Sequence, residues 1–408
     1  MSLALREVPA AALKSAATIR ERCRNIAVAV TAGQSRHFRI DRTRLDDAAA
    51  LVAAVTRRRY PDLDVPYHSR WRHFETGGID RKAELDRALA GRSAADRVRA
   101  HIDLTVASAL LDAGAGAAWG FVEAESGQRY TRSEGLAVAS FRAFMRGAFS
   151  ARQDDPLRVD ASALAAMDAA TLASLFQVGT ANPLLGLEGR AALLRRLGSA
   201  LVAQRDAFGN TARPGALFDT LTAQGTRRAV PASTLLEALL DGLGPIWLTG
   251  SALDGVPLGD VWRHPHAGGS DPTAGWVPLH KLSQWLAYSL FEPFEWAGIT
   301  VTHRDHLTAL PEYRNGGLLL DAGVLHLVDA ADGARTWDVH DELVIEWRAL
   351  TVALIDELAP RVRACLAAPA LPLACILEGG TWAAGRELAA QLRGGNPPLS
   401  IDSDGTVF

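Results

Sequence analysis

The segment His340-Asp-Glu-Leu-Val-Ile-Glu-Trp-Arg-Ala-Leu-Thr-Val-Ala-Leu-Ile-Asp-Glu-Leu-Ala-Pro-Arg-Val-Arg-Ala-Cys-Leu366 decides the fold class of this chain. Its apolar residues recur at helical spacing, which predicts one long amphipathic helix. The same spacing predicts further helices over residues 10–30, 44–59, 94–112, 133–149, 168–176, 186–208, 231–243, 277–291 and 381–392. The sequence therefore predicts a mainly α, bundle-like globular protein.

Only a few short strands are expected beside these helices. Phe121–Glu125 and Arg129–Arg132 predict one hairpin around a Ser-Gly turn. Ile299–Thr302 predicts a single strand, and the C-terminal tail is predicted to be extended. Leu318–Asp321 and Val324–Val328 predict a second hairpin, because the Ala-Gly pair between them is a tight-turn signal.

Composition limits the classes of protein to which the chain can belong. Its 408 residues are 48% hydrophobic and 22% charged, as in soluble globular proteins. A net charge of −3 argues against a nucleic-acid partner, and no apolar run suits a membrane span or a signal peptide. We expect a cytoplasmic protein with one domain over 1–408, with a subdivision near 245–275 as the alternative. The sequence leaves homo-oligomerisation open.

The last third of the chain is rich in aromatic residues. Of the 10 tryptophans, eight lie between Trp247 and Trp382. Large rings beside polar groups are costly to bury without partners, so this density favours a pocket for a small polar molecule over a plain core.

One predicted helix in this region has a distinctive face. Lys281, Trp285, Tyr288 and Glu292 share one side of the 277–291 helix, an arrangement that suits a sugar or phosphate. The alternative, a partly buried aromatic stripe beside a snorkelling lysine, is favoured by residue types alone.

A second cluster follows Pro311, where Glu312, Tyr313 and Arg314 lie in an irregular stretch. Functional side chains often lie on such segments when a rigid scaffold holds them. The alternative is a surface loop with a solvated ion pair.

A third cluster surrounds the predicted helix start at Thr381. Gly379, Gly380 and Thr381 would present open amides there, directly after Glu378, and Arg386 would reach the same bound anion. The alternative is an ordinary helix cap.

In a fourth stretch, Tyr67–Gly78, the side chains of Arg70, Arg72 and His73 could bind a phosphate beside two rings. The favoured interpretation is a structural bridge between helices. Metal binding is not expected, because His264-Pro-His266 and His303-Arg-Asp-His306 lack the spacing of known zinc motifs. No nucleophilic serine motif or cofactor fingerprint is present, so no cofactor is expected.

Three segments carry a family resemblance: Trp276-Val-Pro-Leu-His-Lys-Leu-Ser-Gln-Trp-Leu286, Leu310-Pro-Glu-Tyr-Arg-Asn-Gly-Gly317 and Ile376-Leu-Glu-Gly-Gly-Thr-Trp-Ala-Ala-Gly-Arg386. With the ending Ser403-Asp-Gly-Thr-Val-Phe408, they resemble the uracil-catabolism family of the fungal and bacterial URC-type pathway, a family of formerly unknown function. The resemblance implies a pathway in which the uracil ring is opened to a ribosylurea-type intermediate and urea is released.

A more distant resemblance concerns Leu307-Thr-Ala-Leu-Pro-Glu-Tyr-Arg314, which is similar to a Leu-Thr-x-x-x-Asp-Tyr-Arg segment of queuosine-salvage nucleoside glycosidases. It implies a DNA-glycosylase-like helical fold. Glu312 stands where those proteins have Asp, and Asn315-Gly316 departs from their Val-Pro.

Together these resemblances favour an N-glycosidase that hydrolyses ribosylurea or its 5′-phosphate. Such cleavage needs a carboxylate near C1′ and a proton or hydrogen bonds for departing urea. The predicted catalytic carboxylates are Glu312, Asp321 and Glu378. The predicted substrate-binding residues are Lys281, Trp276, Trp285, Tyr313, Arg314, Gly379, Gly380, Thr381 and Arg386. The alternative from another class is a non-catalytic scaffold or accessory partner of the ring-opening enzyme.

Overall fold

The computed structural model describes residues 9–112, 114–247 and 249–402. Their helices are α1 (Pro9–Ala12), α2 (Ala16–Thr31), α3 (Leu45–Arg59), α4 (Arg70–Phe74), α5 (Arg81–Ala88), α6 (Ala94–Leu110), α7 (Arg132–Met145), α8 (Ala161–Ala165), α9 (Ala169–Leu175), α10 (Leu187–Ala203), α11 (Arg205–Phe208), α12 (Ala216–Leu221), α13 (Ala232–Leu243), α14 (Lys281–Trp296), α15 (Tyr313–Asp321), α16 (Glu342–Leu366), α17 (Leu373–Ile376) and α18 (Trp382–Arg393). The prediction of a mainly α protein is confirmed.

The strands of the described residues are short and join in pairs. They are β1 (Phe38–Ile40), β2 (Gly120–Val122), β3 (Arg129–Thr131), β4 (Ala229–Pro231), β5 (Ala252–Leu253), β6 (Val256–Pro257), β7 (Val261–Arg263), β8 (Trp276–Pro278), β9 (Thr300–Thr302), β10 (Leu325–Leu327), β11 (Thr336–Asp338) and β12 (Ser400–Asp402). The pairs are β1–β10, β2–β3, β4–β9, β5–β6, β7–β8 and β11–β12. The predicted 121–132 hairpin is confirmed as β2–β3.

The described chain divides into two compact units, each made of separate segments. The first unit comprises 9–68, 249–284 and 303–402, and the second comprises 69–112, 114–247 and 285–302. The chain passes from a segment of the second unit to one of the first at residue 249, which lies inside the predicted 245–275 subdivision. Whether the chain behaves as one domain stays a prediction.

Helix α16 is the centre of the first unit, where it packs against α2, α3 and α15. Every residue from Leu343 to Ile355 is buried. A helix that is buried on all faces lies inside a core, so the predicted amphipathic pattern applies only to its C-terminal half.

The buried half of α16 carries two charged side chains, and both are paired. Glu346 accepts a hydrogen bond from Ser35 at 2.5 Å and lies 3.2 Å from His264 Nε2. Arg348 donates two hydrogen bonds to Asp260, at 2.8 and 2.7 Å. Burial alone would raise the pKa of Asp260, but the Arg348 guanidinium and further hydrogen bonds hold it below its usual value. The pair therefore stays ionised inside the core.

The predicted hairpin over 318–328 is wrong. Tyr313–Asp321 forms helix α15, and β10 pairs instead with β1 in antiparallel register. A Cβ on Gly316 would lie 2.7 Å from the Trp347 ring, so this glycine lets α15 approach α16 closely. A short apolar run such as Leu318–Leu320 does not distinguish helix from strand, and packing decides here.

The predicted start of helix 277–291 is also wrong. Trp276–Pro278 is strand β8, paired antiparallel with β7, and α14 begins at Lys281. Asp260 accepts a hydrogen bond from the backbone N–H of Lys281 at 2.9 Å, which satisfies one of the amides at the helix start. That acceptor lies about twenty residues earlier in the chain, so the local sequence carries no sign of it.

In the second unit, buried arginines hold irregular segments together. Arg81 donates to Glu123 at 2.8 and 2.6 Å, and both side chains are fully buried. Arg70, at the start of α4, forms an ion pair with Asp112 at 3.0 Å and donates to Ser108 at 2.7 Å. These contacts agree with a structural role for the 67–78 stretch. No helix of the described chain is long and apolar enough to cross a bilayer.

The contact between α15 and α18 leaves no room for a side chain at Gly385. A Cβ there would lie 2.1 Å from the carbonyl oxygen of Arg314. We therefore expect Gly385→Ala to lower the free energy of unfolding by about 1–3 kcal/mol, measured by urea denaturation, because overpacking forces the helices apart. Gly91→Ala is the matched control, since nothing lies within 4 Å of its added Cβ. Equal stability of the two variants would contradict this packing.

Candidate functional site

Glu312 is the N-cap of helix α15. Its Oε2 accepts a hydrogen bond from the Arg314 amide at 2.7 Å, and its Oε1 accepts one from the Asn315 amide at 2.5 Å. Two amides at one helix end therefore fix the plane of the carboxylate. The predicted irregular conformation is wrong for Tyr313 and Arg314, which lie in the first turn of α15, and Glu312 directly precedes that helix.

The protein environment raises the pKa of Glu312. Loss of hydration is the largest cause, although the residue keeps partial exposure. The two amide hydrogen bonds, followed by the positive charges of His68 and Lys281, act in the opposite direction. This carboxylate is thus poorly hydrated and interacts electrostatically with His68 and Lys281, a combination that is common at functional sites.

Glu378 is a second carboxylate with polar partners, and it lies in a π-helical turn over Leu377–Thr381 that joins α17 to α18. Its Oε2 lies 2.8 Å from His68 Nδ1, and Arg59 donates to its Oε1 at 3.1 Å. Arg59 also donates to the Glu378 backbone carbonyl. Single π turns inside helices occur often at functional sites.

The predicted helix start at Thr381 is wrong, because the chain is already helical from Leu373. The chain therefore has no helix N-terminus with free amide groups at Thr381 that could bind an anion. Gly379 and Gly380 serve a packing purpose instead: added Cβ atoms would lie 2.8 Å from Val65 and 2.4 Å from Val52. The glycines let the π turn lie directly against α3. A substrate contact by these residues stays a prediction without support from a helix N-terminus.

Among the described residues, the buried polar side-chain atoms without a hydrogen-bond partner include two oxygens on this turn and on α15, which contacts it. One is Thr381 Oγ1, and the other is Asn315 Oδ1. Thr381 shares a helix face with Gly385, which meets the backbone of Arg314. Buried polar atoms are nearly always satisfied in native proteins, so these two have capacity for a bound polar molecule.

Lys281 and Trp276 lie in the same unit as both glutamates. The charge of Lys281 lowers the pKa of Glu312, whereas its predicted contact with substrate stays a prediction. The Trp276 ring lies beneath the Arg263 guanidinium at 3.8 Å and packs in a small core with Leu13 and Val261. Its indole Nε1 is buried without a hydrogen-bond partner.

Other predicted site residues have partners elsewhere. Asp321 forms a two-point ion pair with Arg393 at 2.8 and 2.6 Å. It ends α15, so it lies about 13 Å along the helix axis from Glu312. The structure does not bring these two carboxylates together.

The predicted phosphate-binding residues Arg314 and Arg386 each lie near an aromatic ring. Arg314 donates to the Gly395 carbonyl at 3.3 Å and lies over the Tyr313 ring, which is 38% exposed. Arg386 lies 5.4 Å from the centre of the Trp382 ring. A role for Tyr313, Arg314 or Arg386 in binding substrate stays a prediction.

Trp285 belongs to the second unit. Its ring meets His73 edge-on at 5.9 Å and lies 5.8 Å from the Arg70 guanidinium. On the same helix, Glu292 accepts hydrogen bonds from Ser69 and Arg72, each at 2.5 Å. These contacts fit the aromatic-stripe interpretation of this helix face better than a sugar site.

Sequence reasoning missed His68 and Arg59. His68 pairs with a glutamate 310 positions away, and no local motif marks such a contact. The one available signal was a histidine in an irregular stretch rich in cations and rings, which we interpreted as structural. Within the described residues, no group of three or more His, Cys, Asp or Glu side chains could hold a metal ion.

Comparison with known proteins identifies the family of this chain. The family described as "Protein of unknown function (DUF1688)" matches residues 12–408. "Uracil catabolism protein 4" of Lachancea kluyveri is 38% identical over 436 aligned residues, which cover 98% of this chain and 99% of that protein. "Protein urg3" of Schizosaccharomyces pombe is 36% identical over 410 residues, which cover 98% of each protein. The resemblance drawn from the three motifs is confirmed, and the chain belongs to the DUF1688 family.

Proposed function

We propose that this protein acts in uracil catabolism as an N-glycosidase that hydrolyses ribosylurea, or its 5′-phosphate, to urea and ribose or ribose phosphate. The observation that carries the proposal is Glu312: a poorly hydrated carboxylate, held by two amides, in the field of His68 and Lys281. The name of one relative, "Uracil catabolism protein 4", supports the pathway.

The chemistry of the bond explains the need for such a carboxylate. Cleavage of an N-ribosyl bond develops positive charge at C1′ and on the ring oxygen. A fixed carboxylate with few waters around it stabilises that charge without reorganising during the reaction. Each carboxylate oxygen has a second lone pair beyond the one that accepts an amide hydrogen bond, so capping leaves Glu312 able to face C1′ or to accept a proton from water.

An accessory protein without catalysis is the second candidate function. The observation that favours it is that each predicted catalytic carboxylate has a structural partner: Glu312 caps α15, Glu378 pairs with Arg59 and Asp321 pairs with Arg393. Under this alternative, loss of the Glu312 charge would affect stability alone.

We expect the purified protein to release urea from ribosylurea or its 5′-phosphate, and Glu312→Gln to lower kcat by roughly 10²–10⁴-fold. The glutamine retains an amide oxygen that can accept a backbone hydrogen bond, so the fold should persist. Urea release is measured by a coupled ammonia assay, and folding by circular dichroism.

The matched control for this variant is Asp168→Asn, which makes the same chemical change at the exposed N-cap of α9 in the second unit. This control should keep wild-type turnover. Failure of the folded wild-type protein to release urea from either compound overturns the glycosidase proposal. A wild-type rate in Glu312→Gln would show that Glu312 is not the catalytic carboxylate. No urea release by the folded wild-type protein, with pathway flux in cells unaffected by Glu312→Gln, supports the accessory role.

The raised pKa of Glu312 predicts the pH dependence of the reaction. Glu312 must be ionised to stabilise the cation, so kcat/KM falls as protonation sets in at low pH. Because the pKa is raised, this acid limb should lie above the ordinary glutamate value of 4.5. Lys281→Met removes a positive charge that lowers this pKa and should move the limb to still higher pH.

The control for the pH profile is Lys82→Met, which removes a lysine that pairs with Asp86 in the second unit. This control should leave the acid limb in place. If the acid limb lies at or below pH 4.5, or if it does not move in Lys281→Met, Glu312 is not the titrating group.

A further inference from the structure

His68 is a buried histidine with one ring nitrogen engaged. It is 6% exposed, and its Nδ1 lies 2.8 Å from Glu378 Oε2. Its backbone N–H donates to the Ala374 carbonyl at 3.0 Å, and its ring lies 5.8 Å from the Trp382 ring. Contacts with α17, the π turn and α18 therefore hold the imidazole in one orientation.

The second ring nitrogen of His68 has no such partner. Among the described residues, the hydrogen bond of the ring is the one that Nδ1 makes to Glu378, and Nε2 makes none. Because Nδ1–H donates to the Glu378 carboxylate, the Nε2 position is the one that gains or loses the exchangeable proton. A carboxylate that orients a histidine in this way is a recurring arrangement in acid–base catalysis.

The π turn gives Glu378 its place beside His68. Arg59 binds both the side chain and the backbone carbonyl of Glu378, so the carboxylate is anchored from α3. Thr381 directly precedes Trp382, and its buried hydroxyl has no hydrogen-bond partner among the described residues. Helix α15, which Glu312 caps, contacts this turn.

Resting on the proposed function, we propose that His68 is the second catalytic residue and donates a proton from Nε2 to the departing urea nitrogen, while Glu378 and Arg59 position its ring. The C1′–N bond breaks and its electron pair goes to that nitrogen. The nitrogen takes the proton of His68, and neutral urea leaves. A water oxygen bonds to C1′ and loses its proton to Glu312. Transfer of that proton through solvent to His68 resets the site, so one water is consumed per urea released.

The assignment makes a prediction about leaving groups. Urea leaves poorly without a proton, whereas 4-nitrophenolate leaves as a stable anion. We expect His68→Gln to lower kcat/KM for ribosylurea by roughly 10²–10³-fold. The same variant should change the rate with 4-nitrophenyl β-D-ribofuranoside by less than about threefold, because general acid catalysis contributes little when no proton is needed.

The matched control is His101→Gln in the second unit. His101 is a buried histidine whose Nε2 lies 2.8 Å from a carboxylate oxygen of Asp86, the same separation as in the His68–Glu378 pair. This control should leave the ratio of the two substrate rates unchanged. Equal loss on both substrates in His68→Gln, or no loss on either, would overturn the assignment.

Glu378→Gln is the second variant if His68→Gln does not fold. Its amide oxygen can still accept from Nδ1–H, but a weaker neutral hydrogen bond replaces the charge-assisted one that positions the ring. We expect kcat/KM to fall by roughly 10-fold or more with ribosylurea and by less with the nitrophenyl riboside, since only the first reaction needs the proton. Equal falls in kcat/KM for the two substrates would overturn the role of Glu378 in positioning His68. A wild-type protein that releases urea while these variants show no selectivity contradicts the His68 assignment alone and leaves the glycosidase proposal standing.

Discussion

The first unit depends on one buried ion pair, between Arg348 and Asp260. Arg348 lies in the buried half of α16, and its two hydrogen bonds to Asp260 leave its Nε to donate to the Pro311 carbonyl at 3.3 Å. Asp260 also accepts from Trp262 Nε1 at 2.6 Å and from the Lys281 amide at 2.9 Å. This pair thus fixes the start of α14 and the residue before Glu312. Removing one partner of such a pair typically costs about 3–5 kcal/mol, because the other charge stays buried.

The long helices could be predicted from sequence because each carries its apolar spacing within itself. Helices α3, α6, α13 and α16 begin or end within a few residues of the predicted bounds. The errors lie where a distant partner decides the conformation. Helix α14 begins at Lys281 because Asp260 meets its amide, and α15 is a helix because Gly316 fits against Trp347. Neither partner is visible in the local pattern.

The candidate site shows the same division between local and distant causes. Glu312 and Lys281 could be selected from motifs, and the structure places them in each other's field. Asp321 is predicted as a partner carboxylate of Glu312, yet Arg393 engages both of its oxygens. His68 could not be selected, because its significance arises from Glu378, which the fold brings to it from 310 positions away. Glu312 itself serves stability and the proposed chemistry together, since the amides that it caps also aim its carboxylate.

The most direct test of this account is a crystal structure of Glu312→Gln with bound ribosylurea. The account predicts ribose C1′ against the side chain of residue 312 and the ureido nitrogen within hydrogen-bond distance of His68 Nε2. A ligand bound elsewhere, or one with its ureido group turned away from His68 and its ribose away from residue 312, would contradict it.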